Sequence, residues 1–200
     1  MEKTTHSLHR IGNFEDLKGD YVVLACLAKN INRETQEGRK GLARIAHILA
    51  QNKPVRIIPE FAWKISPVVT AVYDNIETVK KIIKILKQED IGISIVVSGL
   101  ISEIKQVLED INLNIHTIHF SLGTFGKKEL LPHKKILEIS TMCGHHCISP
   151  QFIKYYYRLI KKEKITVEKA AEKLAKPCVC GIFNITRAVS ILNELTNLDL

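Results

Sequence analysis

The sequence is poor in aromatic residues and in long apolar runs, and each shortage argues against a class of protein. Phe, Trp and Tyr make up 6% of the chain, which leaves few of the stacking platforms that single-stranded nucleic acids require. No apolar run approaches the roughly 20 residues that cross a bilayer as a helix. The sequence also has no G-x-S-x-G, no dinucleotide fingerprint and no prominent pair of carboxylates, so the common hydrolase and nucleotide-cofactor signatures are missing.

The charge and the first residues of the chain bear on its partners and its compartment. The net charge is +8 with 29 Lys and Arg, a balance that permits binding to a polyanion. However, lysines such as Lys80, Lys84 and Lys87 are dispersed over predicted helix surfaces, so we do not expect nucleic acid as the main partner. Met1–His6 lacks the apolar region of a secretory signal, and we therefore expect a cytoplasmic protein with reduced thiols and no membrane partner.

Hydrophobic periodicity predicts an α/β or α+β fold for residues 1–122. Up to residue 98 the predicted order is β-α-β-β-α-β, which is the ferredoxin-like arrangement. A helix around 100–111 and a strand at Ile115–Phe120 are expected to extend this sheet by a further, parallel αβ unit. A doubly wound parallel sheet is the alternative, because every helix is followed by a strand. The predicted strands are Tyr21–Leu27, Pro54–Ile58, Val68–Tyr73, Ile91–Val97 and Ile115–Phe120.

Residues 123–200 differ in character, because helical spacing replaces strand patterns. Helices are expected at about 134–141, 150–162, 166–175 and 185–195. We interpret this part as a helical, cysteine-rich section packed on the sheet domain, so that the two form one structural unit. The first 19 residues are polar, and His6, His9 and Arg10 would reach a ligand only if this segment, which we expect to be flexible, became ordered.

Four of the five cysteines form two close pairs in this helical section. Cys143 and Cys147 enclose Gly144-His145-His146, and Cys178 and Cys180 lie between Pro177 and Gly181. Ser149 and Asn184 are suited to cap the following helices, which places each pair just before a helix N-terminus. Such a position favours thiolate over thiol and supplies hydrogen bonds to sulfur. The pairs therefore predict a functional site.

Three functions are compatible with these thiols. The first, which we favour, is a metalloprotein whose four cysteines, Cys143, Cys147, Cys178 and Cys180, bind an iron–sulfur cluster of the four-iron type for redox or metal-dependent chemistry. The second is a zinc-stabilised module that binds nucleic acid or protein, although C-x-C is awkward on one tetrahedral ion. The third is a metal-free thiol enzyme for sulfur transfer or redox exchange. Buried core cysteines without chemistry are the structural alternative.

Other residues complete the predicted site. His145 and His146 lie between the paired cysteines and are candidate proton donors. Gly123, Gly126 and Lys127 follow a predicted strand, and such a loop can hold a small anionic substrate or cofactor through its backbone N–H groups. Tyr155–Tyr157 places three aromatic rings around one helix, so that a homodimer contact is also a hypothesis.

Overall fold

The computed structural model describes residues 10–119 and 123–198. Four strands and eight α-helices lie in these ranges. The strands are β1 (Tyr21–Cys26), β2 (Arg56–Ile57), β3 (Val68–Tyr73) and β4 (Ser94–Ser98). The helices are α1 (Phe14–Leu17), α2 (Gln36–Gln51), α3 (Ile76–Glu89), α4 (Ile101–Asp110), α5 (Lys134–Ser140), α6 (Pro150–Lys161), α7 (Val167–Ala175) and α8 (Ile185–Thr196). Short 3₁₀ helices occur at Glu60–Lys64 and Lys128–Leu130.

The strands form one sheet in the order β2-β3-β1-β4. β1 is central: Tyr21 lies opposite Tyr73 of β3, and Val22 lies opposite Ser98 of β4. All pairings in this sheet are antiparallel. The mixed α/β class predicted from the sequence is therefore confirmed. The doubly wound parallel alternative is wrong, because the chain returns to the sheet in the opposite direction at each pairing.

Both faces of the sheet are covered, each by a different set of helices. Side chains alternate along a strand, so Tyr21, Val23 and Ala25 of β1 pack with α2 and α3 in one core. Val22 of β1 and Val72 of β3 point to the other face and pack with the apolar residues of α5–α8. The C-terminal helices, which lie close to their predicted bounds, thus cover a sheet face that the first half of the chain leaves open.

The strand predicted at Ile115–Phe120 is absent from the described part of this segment. Residues 115–119 join no ladder there, and Phe120 lies outside the described residues. Asn112 has a left-handed φ of 52° that turns the chain after α4. His116, Thr117 and His119 are then exposed, because polar residues interrupt the apolar alternation that a paired strand requires. The parallel extension of the sheet was therefore a wrong prediction for these residues.

The N-terminal segment also differs from expectation where it is described. His6 and His9 lie outside the described residues, but Arg10 is 5% exposed and ion-paired with Asp20. Asn13 begins α1 with a capping box, accepting from the Asp16 N–H. Residues 10–19 are thus held in place by a buried charge and a capped helix. Within the described residues, helices long and apolar enough to span a membrane are absent.

Candidate thiol site

The first cysteine pair lies in the connection between α5 and α6. Cys143 follows the end of α5 and is fully buried, whereas His145, His146 and Cys147 are exposed. The His146 N–H donates to the Cys143 carbonyl at 2.9 Å, and His146 has a left-handed φ of 54°. Ser149 then caps α6 by accepting from the Phe152 N–H, as the sequence predicted. This tight turn returns Cys147 toward Cys143.

The second pair lies in the connection between α7 and α8. The Cys178 N–H donates to the Ala175 carbonyl at 3.1 Å, and the Gly181 N–H donates to the Cys178 carbonyl at 3.2 Å. Asn184 caps α8 by accepting from the Arg187 N–H at 3.0 Å, again as predicted. Cys178 is fully buried and Cys180 is half-buried. Consecutive turns therefore present both sulfurs just before the N-terminus of α8.

The two pairs meet in space. The sulfurs of Cys178 and Cys180 are 3.7 Å apart, and the Cys180 sulfur is 3.7 Å from Nδ1 of His145. Cys143 is near enough to Cys178, and Cys147 to Cys143, for the thiols of each pair to shift one another's pKa. The structure thus brings all four cysteines and His145 together. His146 lies on the same turn, and among the described residues no thiol contact of its ring is found.

The thiols differ in pKa because their surroundings differ. The hydrogen bond with Cys178, followed by burial, raises the pKa of Cys143. Burial and then the neighbouring Cys143 raise the pKa of the Cys147 thiol. In contrast, the hydrogen bond donated by Cys178, helped by the Ile182 N–H, lowers the pKa of Cys180 to about 7. Cys180 is therefore the thiolate of the group, roughly half ionised near neutral pH.

The pKa of Cys180 should therefore shift when its hydrogen-bond donor, Cys178, is removed. In metal-free protein, Cys178→Ala should raise the pKa of Cys180 from about 7 toward the ordinary thiol value of ~8.5. Alkylation of Cys180 by iodoacetamide, followed by peptide mass spectrometry over a range of pH, measures the midpoint. Cys26→Ala is the control, because Cys26 lies in β1 and contacts the Leu27 carbonyl instead. A Cys180 midpoint that stays near 7 without Cys178 contradicts the assignment.

The second cysteine loop is seated directly on the sheet. Thr70 of β3, which is 2% exposed, donates its hydroxyl hydrogen to the Cys180 carbonyl. Gly181 has φ +73°, and a Cβ atom there would overlap the backbone of Ile57 and Ile58. A glycine is needed at this position both for the left-handed backbone and for the close approach. The position of Cys180 is thereby fixed by strands far away in sequence.

A buried charge network beside the thiols was not anticipated from the sequence. The Asp20 carboxylate is fully buried and pairs with Arg10 and, at 2.9 Å, with Arg187. Asn184 donates to the same carboxylate at 3.0 Å. Burial alone would raise the pKa of Asp20, but the two arginines outweigh it and the pKa is lowered. One feature of the sequence could have predicted this network: Arg187 lies on the same apolar stripe of α8 as Ile191 and Leu195, where a charged residue needs a buried partner.

The residues predicted to bind an anion lie in an exposed loop. Gly123 and Gly126 have positive φ angles of 103° and 89°, and Lys127 follows them at the surface. A cavity of about 500 Å³ lies between β4, α4 and residues 113–119. Its walls are largely apolar and include Ile95, Ile104 and Leu108, which does not suit an anion. Binding of an anion at Gly123, Gly126 and Lys127 stays a prediction.

The thiols are close together, but they do not yet surround a common centre. In residues 10–119 and 123–198, no group of three or more His, Cys, Asp and Glu side chains is arranged to hold a metal ion. The exposed Cys147 contacts the His145 carbonyl at 3.9 Å, whereas the sulfurs of Cys178 and Cys180 contact each other. Comparisons with protein-family models, curated proteins and solved structures find no match.

Proposed function

We propose that this chain is a metalloprotein in which Cys143, Cys147, Cys178 and Cys180 bind a metal centre. The observation that carries the proposal is the 3.7 Å separation between the sulfurs of Cys178 and Cys180. Zinc–thiolate bonds of ~2.3 Å give a tetrahedron with edges of roughly 3.8 Å between sulfurs. The C-x-C pair therefore has the spacing that two thiolates adopt on one metal atom.

This spacing also bears on the kind of centre. In a four-iron cluster each thiolate binds a different iron, so Cys178 and Cys180 would have to separate. Two thiolates share one metal atom in a mononuclear tetrahedral site and in a two-iron cluster. The closeness of Cys143 to Cys178 and Cys147, which shift its pKa or are shifted by it, supports the more compact of these. Our proposal is therefore a single tetrahedral ion, with a two-iron cluster as the second form, in place of the four-iron cluster expected from the sequence.

The surroundings of the thiols suit the negative charge of such a centre. Four thiolates on a divalent ion carry a net charge of −2, and the N-termini of α6 and α8 offer free N–H groups. The Ile182 N–H acts to lower the pKa of both the Cys178 and the Cys180 thiol. Outer-shell donors of this kind stabilise bound thiolate. When bound, a metal would hold the four sulfurs as thiolates and remove their unequal protonation.

His145 is the better of the two candidate proton donors. Its Nδ1 atom lies 3.7 Å from the Cys180 sulfur, whereas His146 has no comparable contact with the part of the chain that the structure describes. We propose that His145 exchanges a proton with a small anionic substrate or with Cys180 itself, if the centre is catalytic. His145 is also a potential nitrogen ligand in place of Cys147, because imidazole and thiolate are both ligands of tetrahedral zinc.

We also infer that the sheet and its first helices form a ferredoxin-like unit. The order β2-β3-β1-β4, with α2 joining β1 to β2 and α3 joining β3 to β4, supports this. In this view the helical, cysteine-rich section covers the open face of that unit. All five cysteines are free thiols, which supports a reducing compartment such as the cytoplasm.

The experiment is an anaerobic purification followed by an absorption spectrum and by iron, zinc and acid-labile sulfide analysis of one sample. Zinc without colour supports the single ion, whereas iron and sulfide with broad visible absorption support the cluster. The double variant Cys178→Ser, Cys180→Ser should lose the metal, and Cys26→Ser should keep it. Full metal content in the double variant, or no metal in the wild type, contradicts the proposal. A metal-free wild type would instead favour a metal-free thiol enzyme.

A further inference from the structure

The segment around Arg10 is held between the two cysteine loops. Ile11 donates its N–H to the Thr141 hydroxyl at 3.1 Å, just before the first loop. Its carbonyl accepts from Arg187 of α8, just after the second loop, at 2.7 Å. At the next residue, Gly12, a Cβ atom would overlap the Arg187 guanidinium. The N-terminal segment therefore contacts the chain on both sides of the site.

Arg10 makes the most direct of these contacts. Its guanidinium donates to the Met142 carbonyl at 3.3 Å and to the Ile182 carbonyl. Met142 immediately precedes Cys143, and Ile182 lies two residues after Cys180. The N–H of Ile182 favours the thiolate form of Cys178 and of Cys180. One side chain thus connects the backbone of both cysteine loops within one or two residues of the thiols.

The guanidinium is fixed by groups that have little freedom. Arg10 is 5% exposed, and it pairs with the fully buried Asp20. Asn184 orients Asp20 by donating to its carboxylate, and it also donates to the Gly19 carbonyl at 2.7 Å. Because guanidinium is planar and carries five N–H donors in a rigid fork, it can hold a carboxylate and two carbonyls at once.

We infer that Arg10 is a positioning residue that sets the separation of the two cysteine loops and so completes the thiol site. This inference rests on the proposed metal centre. Without Arg10 each loop keeps its own helix cap, Ser149 or Asn184, but the contact that joins the loops is lost. The segment preceding the sheet then belongs to the site, although it carries none of the thiols.

The test compares Arg10→Gln with Arg187→Gln in the full-length protein. Both variants remove one guanidinium from the same buried carboxylate, so they should lose similar stability. Only Arg10 contacts the cysteine loops through Met142 and Ile182. Cobalt(II) titration, followed by thiolate charge-transfer absorption, should show a loss of affinity of ~10- to 100-fold for Arg10→Gln and none for Arg187→Gln. Arg10→Lys, which keeps the charge, should fall between these values and provides a folded variant if Arg10→Gln is unstable.

A second measurement separates this inference from the proposed function. In metal-free protein in which Cys147 and Cys180 are replaced by serine, glutathione disulfide should oxidise Cys143 and Cys178 to a disulfide and release two glutathione thiols, so that the equilibrium constant reports how close the loops are. Arg10→Gln should lower that constant by about tenfold or more, since the loops lose effective concentration, and Arg187→Gln should not. If the wild type binds no cobalt, the proposed function fails while this comparison still tests Arg10. Equal behaviour of the two variants in both measurements overturns the inference.

Discussion

Replacing Asp20 with asparagine is expected to lower the free energy of unfolding by roughly 3–5 kcal/mol, because the change leaves two buried arginines without their counter-charge. Asparagine has nearly the same shape, so packing is little altered and the loss reports the charge. Arg10 and Arg187 are each 5% exposed, and neither can release its proton. Urea denaturation followed by circular dichroism measures the change.

The same carboxylate makes stability depend on pH in a defined direction. The pKa of Asp20 is lowered in the folded protein, so its contribution is fully present above the unfolded value of about 3.9. It is lost as the pH falls from there through the lower folded pKa. Wild-type stability should therefore fall steeply below about pH 4, and Asp20→Asn should remove part of that slope.

Asp110→Asn is the control for charge removal without burial. Asp110 pairs with Lys80 at the surface, where both side chains are about one-third exposed, and solvent screens such pairs. Its variant should unfold close to the wild type. If Asp20→Asn is no more damaging than this surface change, then the buried network does not contribute to stability in the way proposed.

Local patterns were sufficient for the elements that surround the site. The apolar spacing of residues such as Ile191 and Leu195 gave the C-terminal helices, and Ser149 and Asn184 were identified as caps because a side-chain acceptor is needed at those positions. The alternation and β-branching of Val68–Tyr73 gave a strand. These features depend on neighbours a few residues apart, so the sequence displays them directly.

Local sequence patterns could not predict that the two cysteine pairs lie together in the folded protein. Cys143 and Cys178 are separated by 35 positions, and they enter one buried cluster only because of how α5–α8 pack on one sheet face. Arg10 and Asp20 had no periodic signal, because their pairing is with Ile182 and Arg187 at the other end of the chain. The strand expected at residues 115–120 is absent from 115–119 for a different reason: the apolar residues Ile115 and Ile118 favour a strand locally, but polar residues interrupt their alternation and no neighbouring strand pairs with them.

Thr70 and Gly181 show that the position of the second cysteine loop depends on the sheet. Thr70 lies in a central strand yet its hydroxyl is used by the Cys180 carbonyl, and Gly181 brings the loop backbone against β2. The Cys178–Cys180 separation is therefore determined partly by the sheet. Substitutions where this loop contacts β2 and β3 should alter the chemistry of the thiols as well as the stability of the fold.

Among substitutions where this loop contacts β2, Gly181→Ala should have the largest effect. We expect it to lower the free energy of unfolding by roughly 2–5 kcal/mol, because alanine is strained in the left-handed conformation and its methyl group clashes with backbone. The added methyl group overlaps Ile57 and Ile58, whose backbone is paired in the sheet and cannot yield as a side chain would. The loop should therefore lift from β2 and carry Cys180 away from Cys178. Urea denaturation measures the first effect, and cobalt(II) affinity measures the second.

Gly92→Ala isolates the clash from the backbone strain. Gly92 has φ +72°, almost the same as the +73° of Gly181, but a Cβ atom at Gly92 meets nothing within 4 Å. The strain common to both variants should cost about 1–2 kcal/mol, and the additional loss in Gly181→Ala is then due to contact with β2. Only Gly181→Ala should weaken cobalt binding, because Gly92 precedes β4 and lies outside the cysteine loops. If the two variants lose equal stability and bind cobalt equally well, the sheet does not position the second cysteine loop.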